Sequence, residues 1–110
     1  MKKLICLSAA SLLVSNALFQ FEASAQAVVE VGQKNKEFTK KEITIKQGDV
    51  VRFKNEDPFF HNVFSLSDTK FFDLGSFPQG EHKDVKFEEA GEIEVECAIH
   101  PNMKMTIKVE

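Results

Sequence analysis

What this chain has little of narrows it before any motif is read. It has no tryptophan and no tyrosine, so its near-ultraviolet absorption is weak and any visible band stands out. It has no excess of basic charge: 14 Lys and Arg against 17 Asp and Glu give a formal net charge of −3. That balance moves one unit further negative once Lys2, Lys3 and Glu22 leave with the N-terminal segment. Nucleic-acid binding wants a basic face and is excluded, while a partner with a basic docking surface stays open. No stretch beyond that segment places apolar residues at helical spacing over a useful length, which argues against a helical domain. There are no internal repeats and no low-complexity tracts.

Long apolar runs are scarce too, and the single one is informative. Met1-Lys2-Lys3 opens positively, Leu4 to Phe19 is mostly apolar, and Ala23-Ser24-Ala25 supplies the small residues a signal peptidase needs. This predicts a secretory signal over 1–25, cut after Ala25 or alternatively after Ala27, and one domain over 26–110. Ser8, Ser11, Ser15, Asn16 and Gln20 interrupt a run already short for a membrane span. Cys6 lies too near the start for a lipoprotein signal. The expected product is periplasmic or secreted, with no membrane insertion after cleavage. Cys6 would leave with the signal, making Cys97 the only thiol of the mature chain. Exported proteins normally pair their cysteines. An unpaired one is buried and inert, reactive, or a metal ligand.

What is there reads as strands. Val28, Val29 and Val31 form a short apolar run ended by the turn-prone Gly32-Gln33-Lys34-Asn35. Glu42 to Lys46 alternates with period two, and Val50 to Lys54 follows as a strand with Val51 and Phe53 on one face. Asn55-Glu56-Asp57-Pro58 breaks it, and Phe59 to Leu66 resumes β-type composition. Ser67 to Gly80, with Gly75, Pro78 and Gly80 among aromatics, predicts an ordered loop holding a short strand at most. Val85 and Phe87 alternate with charged neighbours. Ile93, Val95 and Cys97 share one parity while Glu92, Glu94 and Glu96 share the other, which points Cys97 inward. Met105, Ile107 and Val109 alternate in the same way. Seven or so short strands between turn signals indicate an all-β antiparallel sandwich.

Chemistry concentrates between the last two of these strands. Cys97-Ala98-Ile99-His100-Pro101-Asn102-Met103 hangs a thiolate, an imidazole and a thioether from one hairpin loop, and His61 adds a second imidazole from upstream. Two imidazoles and a thiolate with a weak axial thioether are the donor set of an electron-transfer copper site. Cu(I) favours soft sulfur and low coordination, whereas Cu(II) favours nitrogen, and a rigid compromise lets the ion change charge with little movement.

These residues resemble the cupredoxins, the blue-copper proteins, and among them amicyanin and the small plastocyanin-like proteins. The likeness rests on Gly48-Asp49-Val50-Val51-Arg52-Phe53-Lys54-Asn55, His61-Asn62-Val63, Ala90-Gly91-Glu92-Ile93 and Cys97 through Met103. The resemblance implies a Greek-key β-sandwich of about seven to eight strands that binds one Cu ion cycling between Cu(I) and Cu(II). It implies His61, Cys97 and His100 as equatorial ligands, and Asn62 as the residue tying the two ligand loops together by hydrogen bonding. Met103 fits the amicyanin-type His-to-Met spacing and Met105 the longer plastocyanin-type spacing. Met103 is preferred as axial ligand because Met105 shares parity with Ile107 and Val109. Phe60 rather than Pro precedes His61, and Glu96 rather than an aromatic precedes Cys97, which departs from the family pattern.

The function expected is single-electron transfer between redox proteins, not catalysis, by a protein that is itself a monomer; the resemblance to amicyanin implies an amine dehydrogenase or a c-type cytochrome as partner. His100 is the expected electron port, since a loop His beside Pro101 can expose its ring edge. Copper handling without redox work is the alternative, though its usual mark is an open array of Met or His. An enzyme using Cys97 as nucleophile needs an exposed thiolate and an oxyanion site, neither of which is legible. His82, among Glu81, Lys83 and Asp84, reads as solvated. Phe59, Phe60, Phe71, Phe72 and Phe77 divide between core and an apolar collar around the metal. Glu88, Glu89, Glu92, Glu94 and Glu96 read as a solvated face, with an acidic docking patch as the alternative. Asp57 shows no paired-carboxylate context.

Overall fold

The computed structural model describes residues 26–110; the signal segment expected over 1–25 lies outside the described residues. Nine strands follow in order: β1 (Val28–Lys34), β2 (Glu37–Phe38), β3 (Glu42–Ile45), β4 (Val50–Asn55), β5 (His61–Leu66), β6 (Phe71–Phe77), β7 (His82–Lys86), β8 (Gly91–Glu96) and β9 (Lys104–Val109). They form a four-stranded sheet ordered β2-β1-β4-β7 and a five-stranded sheet ordered β3-β9-β8-β5-β6. The β-sandwich is as expected, though with nine strands instead of seven or eight.

Period-two alternation decides what lies between the sheets. Val31, Val51, Phe53 and Val85 come from one sheet, and Val63, Phe77, Ile93, Val95, Met105 and Ile107 from the other, all in one buried cluster. Phe53 contacts Phe72 at 6.3 Å between ring centroids, and Phe72 meets Phe87 edge-on at 6.1 Å, so aromatic contacts cross the interior. Each fully buried side chain of this size contributes about 1.5 to 3 kcal/mol, which matters in so small a domain. Glu92, Glu94 and Glu96 stand opposite Lys108, Thr106 and Lys104 in the β8/β9 register. Lysines on the neighbouring strand flank the acidic row, and Lys108 pairs with Glu42 of β3 at 3.3 Å. The face is solvated and mixed in sign, as the simpler reading of those glutamates has it.

Three features differ from the sequence expectation. The sandwich is not wholly antiparallel: β1 runs parallel to β4, from Val28 opposite Val50 to Gln33 opposite Asn55, and β3 runs parallel to β9. The first strand runs on through Gly32, Gln33 and Lys34, so the expected turn begins only at Asn35, and the reversal falls at Asn35 and Lys36, both at positive φ (56° and 60°). Ser67 to Gly80 contains a full seven-residue strand, β6, paired to β5. An edge strand with one covered face needs only Phe72, Leu74 and Phe77, and Gly75 and Asp73 hide that alternation.

Candidate metal centre

Two irregular segments at one end of the sandwich carry the site. Inward parity continues from Ile93 and Val95 to Cys97, which leaves β8 only 1% exposed. The loop after it is closed on itself: Met103 N–H donates to His100 O at 2.9 Å, and Cys97 N–H donates to Met103 O at 3.3 Å. β9 then resumes the core with Met105. On the other side, β4 ends at the buried Asn55. Its side-chain amide donates to Phe59 O at 2.7 Å and Phe77 O at 2.9 Å, and its Oδ1 accepts from Asp57 N–H at 2.8 Å. That bracing fixes the 56–60 turn and delivers His61 as the first residue of β5, fully buried.

His61, Cys97 and His100 converge as expected. Their donor atoms lie within 4.8 Å of one another. His61 Nδ1 is 3.8 Å from Cys97 Sγ and 3.2 Å from His100 Nδ1, and His100 Nδ1 is 4.0 Å from the same sulfur. Imidazole and thiolate bonds to a first-row metal run at about 2.0 to 2.3 Å, so three donors spaced around one ion sit roughly 3.6 Å apart. The distances fit one ion, and the mixture of soft sulfur and borderline nitrogen fits copper. Cys97 is a free thiol.

Met103 is buried at 1% exposure in the loop itself, while Met105 is buried within β9 opposite Val95. Asn62 ties the two segments as expected, its Oδ1 accepting from Ala98 N–H at 2.7 Å. Gln33 braces this tie by donating from Nε2 to Asn62 O at 3.2 Å, and its buried Oε1 has no partner among the described residues. Of the candidate collar, Phe59 alone packs on the site, at 5.3 Å from the His61 ring and 5.4 Å from the His100 ring. Phe72 and Phe77 belong to the core, and Phe60 and Phe71 are exposed. His82 is exposed, away from the cluster.

Asp57 is the residue the sequence did not reveal. Its buried carboxylate accepts from His61 Nε2 at 2.7 Å, Asn35 N–H at 2.7 Å and Lys36 N–H at 3.0 Å. Burial pushes its pKa up, but the hydrogen bonds from His61, Lys36 and Asn35 outweigh it and hold the carboxyl below its ordinary value. Asp57 stands four residues before His61, but four-residue spacing signals contact only on a helix, and this segment is a turn. His100 has its pKa lowered, by burial first and then by the neighbouring His61 and Lys36.

Fold and site together define a sandwich of the cupredoxin type with a one-ion copper centre, and comparison with known proteins agrees. The family described as copper binding proteins, plastocyanin/azurin family, matches residues 25–110. The chain belongs to that family, and copper is its cofactor. Among solved structures, a Cu(I) methionine-to-alanine variant of amicyanin superposes with a TM-score of 0.71 at 22% identity, over 76% of this chain and 82% of that one. A reduced tryptophan-to-tyrosine variant of amicyanin gives 0.71 at 23% identity, over 79% and 86%. The copper-containing nitrite reductase of Thermus scotoductus SA-01 gives 0.72 at 27% identity, over 83% of this chain but 24% of that one. No curated protein sequence matches the chain.

Proposed function

We propose that this blue-copper protein is an exported one-electron carrier, with its ion held by His61, Cys97 and His100 and by Met103 as the weak axial donor. The observation that carries the reading is the buried convergence of two imidazole nitrogens and one thiol within 4.8 Å, at the end of a braced sandwich. Copper, when bound, supplies a one-electron couple between Cu(II) and Cu(I). Cys97 and Met103 contribute soft sulfur, and the two histidines contribute nitrogen. The bracing by Asn55, Asn62 and the closed 97–103 loop holds these donors in one place, so a change of charge requires little rearrangement. Phe59 packs against the rings of both histidines and adds apolar cover on its side of the centre.

His100 serves as the port. Its half-buried ring lines a surface pocket of about 150 Å³ with Lys36, Ile99, Pro101 and Asn102. Exposed Ile99 directly precedes His100 and lines the same pocket, and suits a transient apolar contact. The partner proposed is a redox protein, an amine dehydrogenase or a c-type cytochrome, met by a monomeric carrier that is not itself an enzyme. Export rests on the basic start, apolar run and Ala23-Ser24-Ala25 of the N-terminal segment, and the family match beginning at residue 25 supports a domain over 26–110.

Visible absorption tests the reading. Cu(II) added to the purified protein gives an intense blue or green band from Cys97 thiolate charge transfer. Tight but colourless binding would instead assign the protein to copper handling.

A further inference from the structure

The buried His61 ring is held at both of its nitrogens, and the two nitrogens face unlike surroundings. Nδ1 faces Cys97 and His100, and Nε2 lies 2.7 Å from Asp57 Oδ2. A neutral imidazole carries one proton, and a carboxylate at that distance draws it to Nε2, leaving the Nδ1 lone pair directed at the metal position. Asp57 is itself fixed. Oδ1 accepts from Asn35 N–H and Oδ2 from Lys36 N–H, two successive amides of the left-handed turn between β1 and β2. Consecutive amides in such a turn form a concave cradle for an anion. Among the described residues no Lys or Arg side chain lies within ion-pairing distance of this carboxylate, and its ion-pair partner there is the histidine.

A backbone carbonyl in place of Asp57 would orient the ring equally well but would bring no net charge. We propose that Asp57 is a positioning residue for the copper centre: it fixes the tautomer of His61 and adds negative charge behind the ring, which favours Cu(II) over Cu(I). The β1–β2 turn thereby becomes part of the metal site without touching it. The arrangement is one-sided, since no carboxylate contacts the ring of His100 among the described residues.

The inference rests on the copper reading, and its test separates the two. Full-length protein and its D57N variant are titrated against competing chelators, for Cu(II) and for Cu(I) separately. D57N loses about tenfold or more in Cu(II) affinity, in the range typical of lost outer-sphere partners. Its loss for Cu(I) is smaller, so the ratio of the two affinities falls and the reduction potential rises. Equal losses in both oxidation states would make Asp57 a scaffold only and overturn the inference, while the visible band of the unaltered protein would still support the copper reading. The absence of that band would sink the copper reading instead. Because D57N leaves a buried amide facing Asn35 or Lys36 and can fail to fold, nitrogen-15 resonance of the unaltered Cu(I) protein provides the second measurement. The expected result is a proton on His61 Nε2 that exchanges slowly with water; a bare Nε2 overturns the proposal.

Discussion

The two histidines of the centre come from unlike parts of the molecule. His61 opens a strand, is fully buried, and is backed by a carboxylate that a distant turn holds in place. His100 sits in a loop tied mainly to itself, and its ring lines a pocket open to solvent. The first is built as an anchor and the second as a contact. The proposed electron carrier needs both, because the same ion must be held still and be reached from outside. Between them runs the hydrogen bond from Ala98 N–H to Asn62 Oδ1, which makes two independently supported segments into one site.

Truncating each ring is the strongest way to break this contrast. His61→Ala leaves Asp57 buried without its partner and a void beside Phe59, so the metal-free protein loses about 3 kcal/mol. His100→Ala, on the half-exposed loop, costs less than about 1 kcal/mol. Urea unfolding of the two metal-free variants measures both, and similar losses would erase the distinction between anchor and contact.

The sulfur donors sharpen it. Met103→Leu and Met105→Leu keep volume, and each costs below about 1.5 kcal/mol in stability. Voltammetry of the copper-loaded variants separates them. Met103→Leu raises the reduction potential through loss of a weak axial donor, and Met105→Leu leaves it nearly unchanged. The reverse outcome transfers the axial role to Met105.

Cutting the tie between the halves has a smaller effect. Asn62→Ala removes one hydrogen bond at the surface end of the site, worth about 1 kcal/mol. Amide exchange at Ala98 and through the 97–103 loop speeds up, while exchange in β4 and β5 does not. Unaltered exchange in the loop would show that something other than Asn62 couples the two segments.

The mildest probe is acid on the metal-free protein. His100 has a pKa below its ordinary 6.5 and Asp57 one below its ordinary 3.8. In both cases the unfolded chain binds more protons, so stability rises with pH. The His100 contribution is complete above its ordinary value and is lost as pH falls through the lowered one. That of Asp57 follows in stronger acid, shared with Asp84, which is held low by Arg52, and Asp49, held low by backbone amides of Lys46 and Ala27. Denaturant midpoints between pH 8 and pH 3 therefore decline in two stages. His100→Gln removes the upper stage only; if both stages survive in that variant, His100 is not their source.

How much of this was legible in the residues depends on whether the signal is local. The alternation through Ile93, Val95 and Cys97 is a property of one strand, so the inward thiol and the loop after it could be read directly. His61 was legible because His61-Asn62-Val63 resembles the family motif and a partnerless cysteine asks for further ligands, but its place as the first residue of β5 was not. Asp57 was not, because its role comes from a contact between turns that lie far apart in the chain and from an amide cradle with no side-chain signature. Parallel pairing of β1 with β4 and of β3 with β9 was missed for a similar reason: strand direction is set by how the sheets close, and period-two patterning is blind to it. β6 escaped because Asp73 and Gly75 sit where a strand covered on both faces would carry apolar side chains.

The parallel pairing of β3 with β9 also bears on the order of events as the chain folds. Roughly sixty residues separate Ile43 from its partner Ile107, and closing so long a loop costs entropy before any contact repays it. β9 is also the strand on which β8 completes its register, and the 97–103 loop spans the two. Cys97 and His100 share the local β8–β9 hairpin, whereas His61 joins them only through the long-range pairing of β5 with β8. Closure of the sheet is the step expected to bring the second imidazole to the thiol. Metal offered early would meet scattered ligands, and metal offered late would meet a finished socket.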